Sequence, residues 1–138
     1  MRRRHEDGQV SAFVVALAVP LVAVAGLVAD GGGVLAAHQE AVWTAFEAAR
    51  AGAQAVDIDT LRSSGSVVLD QGMARTAALS YLSASGYEGT VAVQGASVTV
   101  TVSRRHSLAI LSMLGIGPVT VVGTASATAT QGISGPGS

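Results

Sequence analysis

The sequence contains no cysteine, no lysine and no asparagine, and only 4% of its 138 residues are aromatic. Without cysteine there is no disulfide, no thiolate zinc site and no cysteine nucleophile. Without lysine there is no Schiff base and no P-loop lysine, so Gly31-Gly32-Gly33 is not a Walker loop. All eight basic residues are arginine, against nine acidic ones, and a net charge of −1 points toward neither nucleic acid nor an acidic substrate. With so few aromatics, the 49% apolar content is carried largely by Ala and Val. Each of these side chains buries less area than Leu or Phe, at about 25 cal/mol per Å², so a small-residue core of modest stability is expected.

What is present begins with Arg2-Arg3-Arg4, followed by a run from Val10 to Ala29 that carries no charge and ends at Asp30. About 20 residues at about 1.5 Å each span about 30 Å, the thickness of a bilayer's hydrocarbon core. Positive flanks stay cytoplasmic, so Arg2, Arg3 and Arg4 predict a single-pass protein of the cell membrane, N-terminus inside and C-terminus outside. A cleaved secretory signal is the competing reading. Its apolar region would be Val10 to Val22, and Ala23-Val24-Ala25 forms an A-x-A site before Gly26. A buried helix of a soluble protein would not need three arginines in front and no polar face.

Five segments follow from composition and periodicity: a basic leader 1–8, a transmembrane helix 9–30, a hinge and amphipathic helix 31–56, a small α+β extracytoplasmic domain 57–130, and a loose tail 131–138. Gly31, Gly32 and Gly33 each cost a helix about 1 kcal/mol relative to Ala and read as a hinge. Helix is expected again from Val34 to about Val56, with Leu35, Val42, Phe46 and Ala49 at helical spacing among many Ala. That shallow stripe is expected to pack on its own domain rather than on a neighbouring subunit. Asp57 to Gly65 reads as a polar loop, Ser66 to Leu69 as a short strand, and Asp70 as the N-cap of a helix stopped at Gly86. The period then changes to two. Val91 and Val93, then Val98, Val100 and Val102, face one way, with Thr99, Thr101 and Ser103 facing the other and Gln94-Gly95-Ala96 turning between them. Arg104-Arg105-His106 is expected to end that strand, Ser107 to Leu114 to form a short apolar helix, and Val119 to Thr130 to form a last strand. The sum is an α+β fold: about three antiparallel strands covered on their apolar face by helices, after the membrane helix.

No catalytic constellation emerges. Asp57-Ile58-Asp59 opens like a calcium loop, but the fifth position is Leu61 and the twelfth Val68, neither of which supplies an oxygen ligand from its side chain. His5, His38 and His106 are isolated, and there is no H-x-x-x-H or G-x-S-x-G. Arg104-Arg105-His106 lacks the interleaved aromatics that stack nucleic-acid bases and reads as a solvated strand end, with lipid head groups or an acidic partner as its alternative. A non-enzymatic chain without metal, cofactor or small-molecule substrate is expected.

Gly8, then Gln9-Val10-Ser11-Ala12-Phe13-Val14-Val15, Pro20 and Gly26-Leu27-Val28-Ala29-Asp30-Gly31-Gly32 resemble the start of pilin-like proteins of tight-adherence (Tad/Flp) pilus loci, the TadE/TadG-like group of actinobacterial type. Ala48-Ala49-Arg50-Ala51-Gly52-Ala53 is similar to the segment that follows there. The resemblance covers roughly the first 55 residues; beyond them only the order of elements is shared. It implies a structural role, with other pilin-like subunits or assembly-platform proteins as partners. It also implies cleavage by a prepilin peptidase between Gly8 and Gln9, which keeps the apolar helix. The family usually places a Glu five residues into the mature chain, where Phe13 stands here. Without that carboxylate to pair with a neighbour's new amino group, a minor or accessory component fits better than a major pilin. A membrane-tethered or secreted binding module unrelated to pili is the alternative.

Overall fold

The computed structural model describes residues 6–130, with side chains from Gln9 onward; Arg2, Arg3, Arg4 and the tail 131–138 lie outside the described residues. The elements are helices α1 (Glu6–Gly52), α2 (Ile58–Ser64) and α3 (Gln71–Ala84), strands β1 (Glu88–Gln94) and β2 (Ser97–His106), a 3₁₀ turn Leu111–Leu114, and strand β3 (Val119–Thr128). The fold is α+β, with one sheet in the order β1-β2-β3. Two compact units divide it. One takes the residues up to Ala36 with His106–Val119, the other Ala37–Arg105 with the residues from Thr120 on.

The second unit holds the sheet. β1 and β2 pair antiparallel from Glu88↔Ser103 to Gln94↔Ser97, and Gly95 supplies the positive φ (57°) that the two-residue connection demands. Val98, Val100 and Val102 are buried, as the period of two requires, while Thr99 and Thr101 reach Ser126 and Thr124 on β3 through hydroxyl contacts of 2.8 and 3.1 Å. Asp70 caps α3 by accepting from the Met73 amide at 2.9 Å, and Gly86, just past its end, takes the left-handed φ of 71°. Over the apolar face of the sheet lie Ala74, Ala78 and Leu82 of α3 and Ala41, Ala45, Ala48 and Ala49 of α1, all buried.

Small residues set how closely these layers meet. A Cβ added to Gly123 of β3 would collide with the backbone of Ala41 and Val42, and one on Gly52 would lie 2.8 Å from the Ala74 carbonyl oxygen. The buried line of α1 is therefore Ala41, Ala45, Ala48, Ala49 and Gly52, packed within its own unit. The larger residues read from sequence as that face turn out: Leu35 and Phe46 are exposed, and so is Trp43. Leu and Phe would hold helix and sheet too far apart for the contacts that Gly123 and Gly52 make.

Four local expectations change. α1 is continuous through Gly31-Gly32-Gly33, so the glycines interrupt nothing there, although Gly31 and Gly32 face open space. The loop after Asp57 is α2, because Asp57 caps it. Its carboxylate accepts from the Thr60 hydroxyl at 2.7 Å and from the Asp59 and Thr60 amides, and the Thr60 hydroxyl leads the contacts that hold it below the usual carboxylate range. Those bonds engage the oxygens that a calcium loop would have offered. Ser66–Leu69 contributes only an isolated bridge, Val56↔Leu69. Arg104-Arg105-His106 continues β2 to His106 rather than ending it: Arg104 stacks 5.2 Å over the Tyr87 ring and approaches Glu40 at 3.6 Å.

Gly123→Ala should destabilise the second unit by about 3 kcal/mol, since a methyl in a filled backbone contact is overpacking. Denaturant unfolding of the full chain in mild detergent measures it, and an unchanged midpoint would contradict the contact with Ala41.

Candidate membrane interface

α1 runs for 47 residues because nothing before Gly52 stops it. From Gln9 on there is no charge until Asp30, and Pro20 is carried within the helix. Among the described residues this is the one helix long and apolar enough to cross a membrane. Its side chains confirm the exposure. Phe13, Val14, Leu17, Leu21, Val24 and Val28 all face outward, without a protein partner to bury them. A soluble surface rarely shows so large an apolar patch. A single apolar span near the N-terminus is compatible with a single-pass membrane protein.

Residues singled out in the sequence fall along this helix without forming a cluster. Gly8 and Gln9 lie in its first turns, Phe13 is exposed, and Ala23 and Ala25 precede Gly26, which is buried. Gly26 is covered from one side: a Cβ there would stand 2.7 Å from the Ile110 side chain. Seven residues on, Gly33 faces the His106 ring, with Nε2 3.2 Å from where a Cβ would be. Between them, on the same face by the i, i+4, i+7 rule, is Asp30.

Among the described residues Asp30 is the one charged residue that is buried, 6% exposed. Its carboxylate accepts from three successive amides: Ala109 at 2.9 Å, Ile110 at 2.9 Å and Leu111 at 2.7 Å. It therefore acts as an N-cap supplied from 80 residues away for the turn Leu111–Leu114. Ser107–Leu114 is nevertheless not the α-helix expected from its Leu spacing: a single 3₁₀ turn forms, and Gly115 closes it with the left-handed φ of 82°. Sequence reading treated Asp30 as the end of the apolar run and missed this role. The available signal was Gly26, Asp30 and Gly33 at one-face spacing, with an uncharged, largely apolar segment at 108–117 to receive them.

The second unit offers two surfaces. One is the hydroxyl face of the sheet, where Thr99, Thr101, Thr124 and Ser126 pair. The other is a shallow apolar hollow of about 240 Å³ between Val42, Trp43, Phe46 and Ala125, where Trp43 and Phe46 meet edge to face at 6.3 Å. No group of three or more His, Asp or Glu able to hold a metal lies among the described residues. No family model, curated protein or solved structure matches the chain.

Asp30→Ala leaves the amides of Ala109, Ile110 and Leu111 without their acceptor. Their hydrogen exchange should rise by about one to two orders of magnitude, because a charge-assisted cap bond contributes about 1.5–3 kcal/mol. Unchanged exchange at these three positions would show that the carboxylate does not hold the turn.

Proposed function

We propose that this chain is a non-enzymatic minor pilin-like or accessory component of a Tad-type pilus assembly or secretion system. α1 anchors it in the cell membrane, with the N-terminus cytoplasmic and the C-terminal α+β domain outside. The observation that carries the reading is the exposed apolar length of α1, along which Phe13, Val14, Leu17, Leu21, Val24 and Val28 are all exposed. A helix of that kind needs lipid or the helices of neighbouring subunits around it. The resemblance of Gly8–Phe13 and Gly26–Gly32 to TadE/TadG-like proteins selects the second role among membrane anchors. Phe13 in place of a glutamate fits an accessory position better than a filament core.

The glycine triplet enters this reading as a hinge that is helical in this structure. Gly31 and Gly32 meet nothing within 4 Å, so their conservation of helical form rests on backbone hydrogen bonds alone. Gly31→Ala with Gly32→Ala should stabilise the helix by about 1–2 kcal/mol. If bending at this point serves assembly, the double variant will be stable, membrane-inserted and defective in incorporation; normal incorporation would remove the hinge from the proposal.

One observation favours a second reading, a tethered or secreted binding module. The Thr/Ser face of the sheet is open and regular, with its hydroxyls aligned across β2 and β3. Mass spectrometry of the mature N-terminus separates the two. A chain beginning at Gln9 supports the pilin-like reading. One beginning at Gly26 overturns it in favour of a secreted module, and an uncut chain leaves a plain anchor outside any filament.

A further inference from the structure

We propose that residues Leu108–Gly117 form a second membrane contact, a short wedge seated in the interfacial layer of the bilayer beside the end of α1. The inference rests on the reading of α1 as a membrane helix.

The position of the segment sets its depth. It docks on the face of α1 that carries Gly26, Asp30 and Gly33, with Ile110 over Gly26. Gly26 lies inside the apolar run that ends at Ala29. At about 1.5 Å per residue, Gly26 is about 6 Å along the helix from Asp30, so the turn is level with the last apolar turn of the span.

The surface of the segment matches that depth. Met113 is 86% exposed, Leu114 56% and Ile116 47%, and no charged residue occurs from Ser107 to Thr130. Large apolar side chains so exposed are a liability in water and an anchor at an acyl boundary. On α1 at the same level, Leu27 and Val28 are also exposed, so the apolar surface of the span continues onto the wedge.

Six amides of the segment meet the constraint that lipid imposes. Non-helical chain near hydrocarbon must have its polar groups bonded within the protein. Asp30 takes the amides of Ala109, Ile110 and Leu111, while those of Met113, Gly115 and Ile116 bond to carbonyls of the same segment. The carboxylate of Asp30 is itself 6% exposed and fully engaged, so it brings no free charge to the boundary. Lipid is the occupant these features fit: the surface is exposed, apolar and uncharged, at the level of exposed apolar residues of α1 that a bilayer would cover.

The absence of cysteine makes the test direct. The full chain carrying Met113→Cys, Val19→Cys or Ser83→Cys is labelled with bimane and reconstituted in phosphatidylcholine vesicles. Nitroxide lipids then quench from near the head group or from deep in the chains. The expected result is quenching at Met113 about twofold stronger from the shallow nitroxide than from the deep one, the reverse order at Val19, and neither at Ser83. Quenching at Val19 with Met113 behaving like Ser83 overturns the wedge and leaves the membrane helix standing. Absence of quenching at Val19 overturns both. If Met113 is shielded from lipid in proportion to protein density, a second copy covers it and the wedge is likewise overturned.

Discussion

Ala41 on α1 and Gly123 on β3 meet at a distance that admits no further carbon, and the second unit is organised around that approach. A chain with few aromatics cannot fill a wide gap between helix and sheet, so its layers must come together until small side chains suffice. Ala45, Ala48, Ala49 and Gly52 continue the approach along α1, and Ala74 and Ala78 repeat it on α3. The valines of β2 then fill what remains. Dispersion contacts among many small groups replace the few large ones of an ordinary core, which makes each glycine and alanine on this line sensitive to enlargement.

The first unit solves a different problem with one carboxylate. An apolar run that ends at Asp30 would ordinarily present that charge to water or to head groups. Here the charge turns inward and meets three amide donors, so a group that is costly to bury and a turn that lacks a cap satisfy each other. Gly26 and Gly33 on either side of Asp30 let the segment lie against the helix, since Ile110 and His106 occupy the space their side chains would take. The clamp joins residues about 80 apart in sequence.

Both arrangements leave the outer surface of α1 uncovered. From Phe13 to Val28 its apolar side chains point away from the chain, and Trp43 and Phe46 expose a smaller apolar hollow further along. Within a bilayer such surfaces associate laterally through close packing rather than through a hydrophobic force that lipid already cancels. The hydroxyl face of the sheet, by contrast, is suited to water and to weak polar contacts.

Much of this was legible in the residues. The uncharged run of membrane length, the Asp70 cap, the period-two hairpin turned at Gly95 and the α+β class all follow from local chemistry: hydropathy, capping and alternation act over a few residues and are written in order along the chain. What lay beyond reach was decided by partners distant in sequence. Periodicity assigned the inner face of α1 to Leu35, Val42, Phe46 and Ala49 among many Ala; the approach of Gly123 kept the alanines buried and left Leu35 and Phe46 exposed, because only small residues allow the backbone contact. Leucine spacing assigned a helix to Ser107–Leu114, but only one 3₁₀ turn forms, and its amides are held by Asp30, about 80 residues away. The sequence by itself determined a membrane-compatible helix and a small-residue α+β domain. Only the tertiary structure decided which face of the helix is buried and what Asp30 is for, because close contact and hydrogen bonding depend on distances that no local pattern encodes.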